Sequence, residues 1–252
     1  VEARKAYDEQ IAKFPKEPGG YLRLGNKLSQ EANAAGGNGY GPEAEKLRAE
    51  AIACYTLGNE KAGPDAELLY GKGFALEWQR KRGEAIECYH AAVAADPDFE
   101  KAWRRMFDIQ AGAIQKGSPI PEPVTPAALI TLAKKFPKSA TAAMWAAYFL
   151  KNERKAEEAL KVVLPALKKH GEHAGAFNQA SAIAWSLRQS NTRLAVEAYE
   201  QLYACNPFSA DAANNLGMIH RDITGRYQDS LKWYLAAVER APESQDILND
   251  CA

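Results

Sequence analysis

The chain has no uninterrupted run of about 18 apolar residues, the length a membrane-crossing helix needs, so no such helix is expected. Cysteine is scarce. The four thiols, Cys54, Cys88, Cys205 and Cys251, stand far apart in 252 residues. They form neither a Cys-x-x-Cys pair nor a dense disulfide framework, and this usage favours a reducing compartment such as the cytoplasm. Charge of one sign is also missing, since Lys and Arg total 32 and Asp and Glu total 32. Without a net field, attraction to a polyanion through counterion release is weak, and nucleic acid is not an expected partner. Val1 is not followed by a basic, apolar, small-residue leader, so a removed leader or an excised piece of a longer protein is expected. What is there is globular: 46% hydrophobic and 25% charged residues exclude intrinsic disorder.

A repeat organises the sequence. Counting back from Pro97, Ala85, Tyr89 and Ala92 stand 12, 8 and 5 residues before it. The same ladder precedes Pro242 (Ser230, Tyr234, Ala237), Pro207 (Ala195, Tyr199, Leu202) and Pro15 (Ala3, Tyr7, Gln10). Glycine takes the anchor's place at Gly63, after Ala51, Tyr55 and Gly58, and at Gly171, after Ala159, Val163 and Ala166. Both residue types stop a helix, Pro by losing a donor and Gly by accepting a left-handed cap. A weaker anchor is Pro137, with Thr125, Leu129 and Leu132. The spacing gives a period of about 34 residues with insertions.

Past each anchor comes the other half of the unit. Six residues on stand Tyr21, Leu69, Trp103, Ala143, Phe177 and Ala213; ten on stand Gly25, Gly73, Phe107, Ala147, Ser181 and Gly217. A bulky residue followed one turn later by a small one admits a neighbouring helix closely. Each unit therefore reads as two helices packed together. The predicted helices cover 2–14, 20–33, 43–59, 66–80, 83–95, 99–115, 126–136, 140–151, 154–170, 174–188, 192–205, 210–223, 227–241 and 244 onward, with no strand. Asp98, Ser139 and Ser209 are expected caps, and Pro165 predicts a kink or early break.

With YLRLGNKL, LLYGKGFAL and NNLGMI in the first helices and EAIECYHAAVAADP and DSLKWYLAAVERAP in the second, the sequence resembles a tetratricopeptide repeat array over nearly its whole length. The resemblance implies an all-α fold, a right-handed superhelical solenoid of antiparallel helix pairs. It implies one array over 1–252, of about six pairs plus terminal half-repeats, interrupted by a Gly-rich insertion near 33–43 and a Pro-rich one near 116–126. The first is expected to be mobile and the second extended and stiff. Because the sequence opens inside a second helix and closes one helix into a new unit, flanking chain is expected on both sides.

Catalytic and metal chemistry find little support. Gly36, Gly37, Gly39 and Gly41 lack the strand, helix and Gly-Lys-Ser/Thr ending of a phosphate loop and read as a linker. His170 and His173 are too few for a metal site and read as a solvated turn. His90 and His220 suit surface or groove positions, and Cys54 and Cys88 read as small buried residues. No cofactor, metal or enzymatic activity is expected.

In the family that the sequence resembles, first helices line a concave groove. Positions 7, 11 and 14 past each anchor share that stripe and supply Asn26, Tyr70, Phe74, Arg104, Tyr148, Lys151, Asn178, Trp185, Asn214 and Arg221 as candidate groove residues. Aromatic rings offer apolar contact, Asn can bond an extended backbone, and Arg or Lys can hold a carboxylate. Tyr70, Phe74 and Tyr148 fit equally well as core between repeats. Chaperone-binding members hold a C-terminal carboxylate with Lys, Asn and Arg; Asn26 stands at one such place, but Leu22 stands where the Lys would be. The expected function is non-catalytic binding of a peptide or helix of a partner protein in the groove. The alternative is a structural spacer or self-association element whose end helices pair across chains.

Overall fold

The computed structural model describes residues 2–35 and 39–251. Among them are fourteen α-helices and no strand, arranged in two compact units that divide at Thr125 and Pro126. The division falls in the Pro-rich insertion.

The first unit holds α1 (Glu2–Lys13), α2 (Pro18–Ala34), α3 (Pro42–Ala62), α4 (Ala66–Trp78), α5 (Arg82–Ala95) and α6 (Glu100–Gln115). Consecutive helices pack on each other, most extensively α2 on α3 and α4 on α5. The spacing of small and bulky residues explains the close fit. Gly25 faces the ring of Tyr55 and Gly73 that of Tyr89, so closely that a Cβ would lie 2.4 Å and 2.7 Å from those rings. The −8 tyrosine of each second helix thus seats in the notch left by the +10 glycine of its own first helix. Tyr21, Leu28, Ala51, Tyr55 and Leu68 join into one core.

The second unit holds α7 (Pro126–Lys134), α8 (Ala140–Asn152), α9 (Ala156–Leu167), α10 (Ala174–Leu187), α11 (Thr192–Cys205), α12 (Ala210–Ile219), α13 (Tyr227–Arg240) and α14 (Gln245–Cys251). The pairs α8/α9, α10/α11 and α12/α13 repeat the arrangement, and Gly217 seats Tyr234 as Gly73 seats Tyr89. The fold is an all-α array of helix pairs.

Several local expectations change. Ser139 and Ser209 do cap α8 and α12, accepting from the amides of Ala142 and Ala212, but the cap position of α6 is Phe99, without a side-chain cap, and not Asp98. His173, expected in a solvated turn, caps α10, its Nδ1 accepting from the Ala176 amide at 3.1 Å. The imidazole nitrogen reaches the same donor that a Ser oxygen would. Pro165 lies inside α9, which continues to Leu167 and stops three residues before the expected 170. His220 is buried rather than on the surface. There α12 widens into a π-helical turn, His220–Thr224, closed by Gly225 at φ 65°.

The insertions are tied to the helices. Gly36 and Gly37 lie outside the described residues, but Gly39 is held by the buried Arg48 of α3, which donates to its carbonyl at 2.5 Å and lies 4.9 Å over the Trp78 ring. The Pro-rich stretch is not simply extended. It contains a 3-10 turn, Glu122–Val124, with Val124 buried and the Pro123 carbonyl 3.0 Å from His90 Nε2.

Candidate functional site

Three of the candidate groove residues, Asn26, Tyr70 and Phe74, meet in the first unit around a cavity of about 300 Å³ between α2, α3, α4 and the start of α6. Tyr55 forms its floor. Gly25 and Gly71 leave room for that ring, which donates from its hydroxyl to Asn26 Oδ1 at 2.7 Å. Burial pushes the Tyr55 phenol up to about 12, so it keeps its proton. Asn26 is exposed, and Ser29, Gln30 and Asn33 continue the polar wall along α2.

The opposite wall is aromatic. Tyr70 and Phe74, one turn apart on α4, stack at 6.4 Å, and Phe99 meets Tyr70 edge-on at 5.6 Å. Both α4 rings are half-buried, so they are at once packing and lining, and the two sequence readings of them meet here. Lys101 stands at the rim, paired with Glu67 at 2.9 Å.

Beneath this shelf lies a charged network. Arg104 is exposed and pairs with Asp108 along α6; it does not line the cavity. Arg105 turns inward instead: its Nε donates to Glu77 at 2.6 Å and its guanidinium lies 5.7 Å from the Phe74 ring. Burial works most strongly against the Arg105 charge, but the hydrogen bond and charge of Glu77 together with Tyr89 outweigh it, and its pKa is raised. Tyr89 also donates to Glu77, at 2.7 Å, and burial, followed by the nearby carboxylate, drives its phenol pKa well up.

In the second unit the candidates disperse. Tyr148 is half-buried, edge-on to Trp145 and Phe149. Lys151 is half-buried and Asn178 exposed. Trp185 lies under the Arg188 guanidinium at 4.3 Å. Asn214 is buried, against the expectation of an open groove position, and donates to Asp250 of α14 at 2.7 Å. Arg221 donates to the Asp250 carbonyl and lies 5.5 Å over the Tyr234 ring. The C-terminal helix therefore occupies this pair. The sequence stripe placed both residues in the groove and did not show that α14 would cover them.

Residues 186–244 match the family model described as Tetratricopeptide repeat. No curated protein sequence matches the chain at a significant level. Among solved structures, the C-terminal part of a repeat protein of the same description from Cytophaga hutchinsonii is 16% identical, with 100% of this chain and 94% of that one covered and a TM-score of 0.48. YrrB, described as having an unusual peptide-binding site, is 15% identical over 98% of each chain, with a TM-score of 0.37. PilF of Pseudomonas aeruginosa is 11% identical, over 92% of this chain and 95% of its own, with a TM-score of 0.41.

Proposed function

We propose that this chain, whose residues 186–244 are tetratricopeptide repeats, is a non-catalytic module that binds an extended segment of a partner protein on its first helices. Repeats of this kind generally mediate contacts between proteins. The observation that carries the finer reading is the cavity of about 300 Å³ that Asn26, Tyr70, Phe74 and Lys101 share. It joins an amide wall, which can bond a peptide backbone, to a ring shelf that can take an apolar side chain. The reading extends to the same register in the second unit, Tyr148, Lys151, Asn178 and Trp185, with Asn214 and Arg221 engaged by α14.

Fluorescence anisotropy with a panel of labelled extended peptides tests this. A peptide that binds the wild type is expected to bind Asn26→Ala/Phe74→Ala about tenfold or more weakly, which corresponds to about 1.4 kcal/mol. Both changes are at half-buried or exposed positions, and an unchanged thermal midpoint verifies the fold. Equal affinity in both proteins would remove this face from consideration.

A further inference from the structure

We propose that the second unit carries a site for a tyrosine of an acidic partner segment: the ring enters a cavity between α11 and the π-helical turn, its hydroxyl donates to His220, and a neighbouring carboxylate meets Arg226. The site lies apart from the cavity of the first unit, and the reading of that cavity stands or falls separately.

The repeat register makes His220 an anomaly. It stands 13 residues past Pro207, and at the same distance past the other anchors stand Leu28, Leu76, Gln110, Leu150 and Ala184. All five are buried, and three are leucine. A place that elsewhere packs an aliphatic side chain here holds an imidazole, 4% exposed. It does so on a π-helical turn, a widened geometry that occurs frequently at functional sites.

The turn also fixes which ring nitrogen carries the proton. Thr224 has one hydroxyl proton, and it goes to the His220 carbonyl at 3.1 Å. The bond between the same hydroxyl oxygen and His220 Nδ1, at 3.3 Å, therefore draws its proton from the ring. Burial holds the imidazole pKa down, so the ring is uncharged at neutral pH. Nε2 keeps a lone pair, and no group among the described residues donates to it. A buried acceptor of this kind is complemented by a ligand that brings a donor.

His220 lines a cavity of about 270 Å³ with Thr192 and Val196 of α11, Thr224 and Arg226. The wall is apolar despite its threonines, because both hydroxyls are spent on backbone carbonyls, Thr192 on that of Arg188 and Thr224 on that of His220. A dry cavity of about 150 Å³ holds benzene, so this one has room for a single ring with a substituent. A phenol supplies ring and donor together. At the exposed rim stand Arg226 and Arg193, the second offset by Glu197 at 3.7 Å. Asp229 and Glu200 act on His220 from outside this lining. Two guanidinium groups against one carboxylate favour an acidic residue beside the tyrosine.

Fluorescence anisotropy on the full chain tests this, with a capped, labelled Gly-Ser peptide carrying one tyrosine and two adjoining glutamates. The wild type should bind it, and should bind the same peptide with phenylalanine for tyrosine about tenfold more weakly. In His220→Phe the two peptides should bind alike. Arg226→Ala, at an exposed position, should keep the preference for tyrosine and lose that for glutamate over glutamine. Thermal melts check folding. If His220→Phe fails to fold, Val196→Phe, which fills the cavity from its wall, replaces it and should exclude both peptides. Asn26→Ala/Phe74→Ala should bind as the wild type does; a loss there would place the peptide in the first unit and overturn the proposal. So would no binding, equal affinity of the wild type for the two peptides, a tyrosine preference that survives in His220→Phe, or an undiminished glutamate preference in Arg226→Ala. Free 4-hydroxyphenylacetate competing as strongly as the peptide would make the occupant a small acid and overturn the partner segment.

Discussion

At the scale of a residue, two glycines of identical composition have opposite roles, and space alone separates them. A Cβ at Gly73 would lie 2.7 Å from the Tyr89 ring and 3.1 Å from the Ala85 carbonyl, while at Gly112 of α6 nothing stands within 4 Å. The Tyr89 ring cannot yield easily, since its hydroxyl is fixed on Glu77. Gly73→Ala is therefore expected to cost about 1–3 kcal/mol by overpacking. Gly112→Ala should gain up to about 1 kcal/mol from helix propensity. Urea unfolding of the two variants reads the difference. The Gly73 notch was legible because small and bulky residues recur at fixed offsets. The choice of Arg105 over Arg104 was not: neighbouring positions both border a broad inner stripe, and what decides between them is Glu77, 28 residues away.

At the scale of an element, most helix ends were legible to within about two residues, because their stops are chemical and recur. The π-helical turn was not, since the widened hydrogen-bond pattern of His220–Thr224 has no compositional mark. Its consequence is a buried imidazole. Burial holds the His220 pKa below the ordinary 6.5; Asp229 and Glu200 pull it up and Arg226 pushes it down. The unfolded chain thus takes up a proton first as pH falls. His220 contributes its stability fully above the unfolded value, and that contribution is lost as pH drops through 6.5 toward the lower folded value. Urea midpoints should decline between pH 7.5 and pH 5 in the wild type, and the decline should be smaller in His220→Asn.

At the scale of the whole molecule, one contact recurs in register with different chemistry, an ion pair in the first unit and a side chain on a backbone carbonyl in the second. The residue 14 past an anchor meets the residue 8 past the next: Glu77 with Arg105 in the first unit, Arg221 with Asp250 in the second. The repeat fixes the place of the contact and not its chemistry. Glu77→Arg alone should destabilise the first unit, and adding Arg105→Asp should recover about 1–2 kcal/mol of coupling in a double-mutant cycle followed by thermal unfolding. The inner stripe included the residue 14 past the anchor and not the residue 8 past the next, so the partner appears only once the helices stand side by side.

The grip of Asp250 on Asn214 and Arg221 has one more effect. A visiting acid aimed at the Arg221 guanidinium finds Asp250 in place, its side chain accepting from Asn214 and its carbonyl from Arg221. Its apparent hold is its intrinsic hold scaled down by the fraction of molecules in which the resident has stepped aside. The two units thus meet acidic visitors on unequal terms.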